Sequence, residues 1–94
     1  MNQDLFKSYL MTKYERQGGG HLPNDSAESY CDYVAGVEHI LSIDLDFQDL
    51  SARGLALNIN KYQEAESKSG TPIKTIGNRK TGLRAYARFR NGKS

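Results

Sequence analysis

Ninety-four residues, 37% of them apolar and 26% charged, are enough for one modest core and one domain over residues 1–94, and too apolar for a disordered chain. No apolar run approaches the roughly 20 residues needed to span a bilayer, the opening Met-Asn-Gln-Asp lacks the basic start and apolar stretch of a secretory signal, and the single Cys31 cannot form an internal disulfide; a cytoplasmic protein without membrane contact is expected. The net charge of +2 conceals a division: residues 1–73 carry six basic side chains against all eleven acids, a net of −5, while residues 74–94 carry seven basic side chains and no acid. Such an imbalance speaks about partners more than about fold.

In chain order, the first helix is expected over residues 4–14, with Leu5, Phe6, Tyr9 and Leu10 on one broad face. Residues 17–25, Gln-Gly-Gly-Gly-His-Leu-Pro-Asn-Asp, read as a loop, because glycine maximises backbone freedom and Pro23 removes a donor. Asp25 or Ser26 then caps a second helix whose Tyr30, Tyr33, Val34, Val37, Ile40 and Leu41 form an apolar stripe. Residues 43–51 form a connection with one turn led by Asp46. A third helix is expected from near Ser51 to about Glu66, with Leu55, Ile59 and Tyr62 on one face and Leu50 and Ala52 packing at its entry. Residues 67–73 read as a polar loop containing glycine and proline. The fourth helix runs over residues 75–89 with Ile76, Leu83, Tyr86 and Ala87 turned inward. No strand alternation, repeat or low-complexity tract occurs, so the class is all-α.

The chemistry sits on the fourth helix. Lys80, Arg84 and Arg88 recur at i, i+4 and i+8 beside the apolar face, with Gly77 and Thr81 along the same side. Lys74 and Thr75 lie at its start, where unpaired N–H groups and the helix dipole favour an anion. Asn78 and Arg79 flank this surface; arginine can fork onto a phosphate or a guanine edge, and asparagine can pair with adenine. Catalytic templates find no match. His21 falls in the glycine loop, His39 lies opposite the stripe of the second helix, and Cys31 reads as a small apolar residue beside that stripe. Two histidines and one cysteine give no zinc spacing, and Asp44, Asp46 and Asp49 lack the glycine and terminal glutamate of a calcium loop. Residues 91–94, Asn-Gly-Lys-Ser, echo a phosphate loop without its earlier glycine or following helix. Most of the six tyrosines fall on apolar faces and read as core. No cofactor, metal or small-molecule substrate is expected.

Residues 75–89, with Asn78-Arg79, Leu83-Arg84, Tyr86 and Phe89, resemble the last helix of the SAM-like core-binding domain of phage integrases and other tyrosine recombinases, a type also found at the N-terminus of some restriction endonucleases. Residues 27–41 are similar to an earlier helix of that domain and residues 45–62 to its linker and third helix. Gly82 departs from the pattern, since the family often carries serine or alanine there. The resemblance implies a single four-helix SAM-like bundle and DNA contact by the Thr75 region, Asn78, Arg79, Lys80 and Arg84. It implies a non-catalytic module for double-stranded DNA, working with a catalytic domain or partner protein, because no catalytic arginine, histidine and tyrosine set can be placed in this chain. The alternative is a protein-interaction adaptor of a phage or mobile element, whose acidic first three helices dock a basic partner.

Overall fold

In the computed structural model, which describes residues 1–16 and 18–92, the chain is an all-α bundle of four helices: α1 (Gln3–Thr12), α2 (Asn24–Leu41), α3 (Ala52–Ser69) and α4 (Ile73–Arg90), with one 3-10 turn (Leu45–Phe47) between α2 and α3. There is no strand among the described residues. Gln17 at the head of the expected 17–25 loop, and Lys93 and Ser94 of the phosphate-loop echo, lie outside the described residues.

The helices start and stop where backbone chemistry permits. The Asn2 side chain caps α1 by accepting the Leu5 N–H at 3.2 Å. That helix stops at Thr12, two residues before the expected end, and Tyr14 folds back through its own N–H to the Tyr9 carbonyl at 2.9 Å. Gly18, Gly19 and Gly20 all take positive φ of +84° to +91°, a conformation that only glycine enters cheaply, and so the following chain returns to pair Leu22 with the Leu10 carbonyl. Pro23, rather than Asp25 or Ser26, is the N-cap of α2, and it uses no side chain. Its carbonyl simply takes the Ala27 N–H at 2.9 Å, and its fixed φ suits a helix start. Ser42 closes α2 in the left-handed region. Asp44, not Asp46, leads the 3-10 turn, its carboxylate accepting the Asp46 N–H at 2.9 Å. The α3 helix continues to Ser69, where Gly70 at φ +71° ends it, and α4 begins directly after Pro72; the expected 67–73 loop therefore shrinks to residues 70–72.

Phe6, Leu10, Val34, Val37, Leu45, Tyr62, Leu83 and Tyr86 are wholly enclosed. Of the residues expected to share the core, Tyr30, Leu41 and Ile59 sit at its rim, half-buried. Leu5 departs from expectation at 59% exposure. It lies about 100° around α1 from Phe6, outside the arc that Phe6, Tyr9 and Leu10 close. Ala52 is also exposed, leaving Leu50 to pack at the entry of α3. Cys31 is fully buried.

The α4 helix is the hub. Ala85, Gly82, Tyr86, Leu83, Ile76 and Ala87 bury about 200° of its circumference at 100° per residue. Gly82 is required by the packing: a Cβ there would stand 2.8 Å from the Cβ of Tyr33 and 3.3 Å from the Tyr30 carbonyl oxygen, so the backbones of α2 and α4 approach closely only because it is glycine. At the other end, the Tyr86 hydroxyl donates to Asp46 and accepts the Asn2 N–H at 3.0 Å. Burial and then the Asp46 hydrogen bond hold the Tyr86 phenol well above its ordinary pKa.

Candidate nucleic-acid interface

The arc of α4 left outside the core carries the basic residues that the i, i+4, i+8 spacing singles out. Lys74, Gly77, Thr81 and Arg84 are exposed, and Thr75, Asn78, Lys80 and Arg88 are half-buried. Lys80, Arg84, Arg88 and Lys74 fall in order across about 120° of this outer arc, with Gly77 and Thr81 among them. Among the described residues, no acidic side chain forms an ion pair with Lys74, Lys80 or Arg84. From Lys74 to Arg88 the strip runs about 21 Å along the helix, comparable to six base pairs of duplex at about 3.4 Å each.

Two cations of the same helix are held by other parts of the fold. Arg79 donates through Nη1 to Oε2 of Glu66 at 2.9 Å, the same oxygen that accepts the Tyr62 hydroxyl at 2.8 Å. Glu66 and Tyr62 are fully buried on α3, and Arg79 lies against Gly36 of α2, where a Cβ would come 2.6 Å from its Nε. Gly36 thus makes room for the guanidinium, and the cluster ties three helices together. Burial works against the Arg79 charge, but hydrogen bonding to Tyr62 and Glu66 outweighs it and holds the guanidinium above its ordinary pKa. The Tyr62 phenol is pushed up to about 12, mainly by burial and then by its bond to Glu66. Arg90 donates to the carbonyls of Leu45 and, at 2.7 Å, Gln48, fastening the 3-10 turn to the end of α4.

Arg88 belongs to the outer arc and also covers the ring of Tyr14, its guanidinium 5.1 Å from the centroid. Thr81 spends its hydroxyl proton on the Gly77 carbonyl at 3.0 Å. In the first turn of α4 the N–H groups have no side-chain cap, since Pro72 supplies none. The strip meets a shallow apolar hollow of about 310 Å³ floored by Leu50, Leu55 and Ala87, with Arg84 and Arg88 at its edge.

The structure separates the sequence-derived candidates into an outer group (Lys74, Lys80, Thr81, Arg84 and Arg88), the half-buried Asn78 and Thr75, which lie within the arc turned to the core, and Arg79, whose charge is met from within. It also adds what periodicity did not mark: Tyr30 and Tyr33 stay half-buried on α2 beside α4, and Arg16 is exposed after Tyr14. The i, i+3 spacing of Tyr30 and Tyr33 was visible in the chain, but apolar periodicity alone assigns such residues to a core. His39 is exposed, and His21 holds its Nδ1 2.8 Å from the Tyr14 carbonyl oxygen. Glu38, Asp44 and Asp46 surround the Met1 ammonium at 2.9, 3.0 and 3.7 Å, and no group of three or more metal-ligating side chains occurs among the described residues. No described helix is long and apolar enough to cross a membrane. Compared with protein-family models, curated proteins and solved structures, the chain matches none.

Proposed function

We propose that this chain is a non-catalytic nucleic-acid-binding module that lays the outer strip of α4 along the backbone of double-stranded DNA. The observation that carries the reading is the strip itself: Lys74, Lys80, Arg84 and Arg88 together on one face, with no acid among the residues from 74 to 92. Arg79, by contrast, is taken up by the buried Glu66. Phosphate contacts supply most of the affinity, and Asn78, half-buried at the edge of the strip, is the candidate for base contact. The resemblance to recombinase core-binding domains agrees with this reading in the placement of Lys80, Arg84 and Asn78. It agrees less well at Arg79, which is engaged by Glu66. Within that resemblance the module would act beside a catalytic domain or partner protein.

A titration of a fluorescent duplex at several salt concentrations tests this. Four contacting cations give a slope of log affinity against log salt of about −3.6. Lys80→Glu with Arg84→Glu should abolish binding at physiological salt while the circular dichroism stays helical. Unchanged affinity in that folded double variant would reject the proposed face.

One observation favours a second reading, docking of a basic protein partner. Phe47 is 86% exposed between Asp46 and Asp49 on a turn held in place by Arg90 and by the Tyr86–Asp46 hydrogen bond. A Phe47→Ala change that abolished capture of a basic partner, with no duplex affinity in the parent chain, would favour this reading.

A further inference from the structure

We propose that the tyrosine row along the seam of α2 and α4 stacks unpaired nucleobases, so that the nucleic acid on the basic strip includes a single-stranded segment. The inference rests on the nucleic-acid reading above and names the form of nucleic acid that the same face takes. Tyr14, Tyr30 and Tyr33 follow one another with ring centroids 6.1 Å and 5.8 Å apart. The row starts under the Arg88 guanidinium and runs back along α4 to Gly82, whose bare backbone lies against the Cβ of Tyr33 and the carbonyl of Tyr30. It therefore follows the seam for nearly two turns and meets the outer strip at Arg88. Asn78 lies one turn further on, in the same i, i+4 line as Gly82, and is half-buried.

Tyr14 is almost enclosed, but Tyr30 and Tyr33 keep part of their surface in solvent. Two adjacent aromatic side chains thus stay partly open to solvent along the seam. A phenol ring offers a flat π-face that any base can cover, and nearby cations hold the strand's phosphates; this is the combination by which single strands are bound without sequence preference. On the neighbouring α2 surface Ser26 and Ser29 flank the row and Glu28 is paired with Lys7 at 3.0 Å, while the exposed acids Asp25 and Asp32 lie about 80° and 100° round the helix from Tyr33. Arg16, exposed two residues after Tyr14, adds a cation at the far end. Bases inside a duplex are already stacked and must be extruded to reach the ring of Tyr33, so an unpaired base is the better occupant.

The test uses three labelled probes on the intact chain: an oligo-dT of about 12 nucleotides, an abasic oligonucleotide with the same number of phosphates, and a duplex of similar length. Expected are tighter binding of oligo-dT than of the abasic strand, and quenching of the protein's tyrosine fluorescence by oligo-dT; the chain has six tyrosines and no tryptophan to mask it. Tyr33→Leu should lower oligo-dT affinity by about tenfold, to the abasic level, with duplex affinity changed less than about twofold, while Tyr33→Phe keeps oligo-dT binding. Equal wild-type affinity for the oligo-dT and abasic strands, without quenching, would overturn the inference even if Tyr33→Leu failed to fold. Loss of duplex binding alone would instead overturn the duplex reading and leave this one standing.

Discussion

At Arg79 and Arg84 the same side chain, five residues apart on one helix, meets opposite surroundings. Arg79 neutralises a carboxylate that is wholly enclosed, whereas Arg84 stands in solvent. Removing one member of a buried pair leaves the other charge without compensation, which costs about 3–5 kcal/mol when both are deep. The Arg79 side chain retains 29% exposure, so Arg79→Ala should lower stability by about 2–4 kcal/mol, toward the lower part of that range. Arg84→Ala should stay within about 0.5 kcal/mol of the parent in chemical denaturation. An equal cost for the two would mean that the Glu66 pair is not formed in solution. It follows that lost DNA binding in an Arg79 variant reports on folding first, whereas the same loss at Arg84 reports on contact. The arginine spacing was legible in the chain, but the partner of Arg79 was not, because Glu66 lies 13 residues earlier on another helix. The one hint was that Tyr62 and Glu66 repeat at i, i+4 on the face expected to be apolar, where an acid needs a buried partner.

Among the elements, α4 is read well by periodicity in its aliphatic residues and poorly in its glycines. Ile76, Leu83, Tyr86 and Ala87 are all inward as the pattern indicates. Gly77 and Gly82 look alike in sequence, yet one faces open space and the other lies against α2. Alanine is favoured over glycine in a helix interior by about 1 kcal/mol. Gly77→Ala should therefore stabilise the chain by about 0.5–1 kcal/mol. Gly82→Ala gains the same propensity but forces a methyl to 2.8 Å from the Tyr33 Cβ, with the Tyr30 carbonyl behind it. Neither atom can swing aside, so α2 and α4 must separate, and a net loss of about 1–3 kcal/mol is expected. Thermal melts of the two variants check the pair; a rise in Tm for both would show that the seam yields easily. The family pattern's serine or alanine at this position could not foretell the contact, because the close neighbour is about 50 residues away in sequence. Helix ends were the other weak point. Backbone carbonyls and Pro23 or Pro72 start α2 and α4 without side-chain caps, so the polar residues that signal a cap mark positions inside the first turn or before it.

For the whole molecule, the fold turns a one-dimensional division of charge into a surface. Some acids of the first 73 residues are met by cations outside the strip: Glu38, Asp44 and Asp46 by the Met1 ammonium, Glu28 by Lys7, and the buried Glu66 by Arg79. Lys74, Lys80 and Arg84, which form no ion pair among the described residues, share the outer strip of α4 with Arg88, next to the open tyrosines. The strip runs about 21 Å along α4 in a domain measuring 36 × 25 × 23 Å. The most direct measurement is a titration of the isotopically labelled chain with a short duplex bearing a single-stranded tail, followed by amide chemical shifts at low salt. The shifts should concentrate at Lys74, Gly77, Lys80, Thr81, Arg84 and Arg88, extend to Tyr30 and Tyr33, and fade as salt is raised. Shifts confined to the acidic turn around Phe47, or none at any residue of α4, would contradict it.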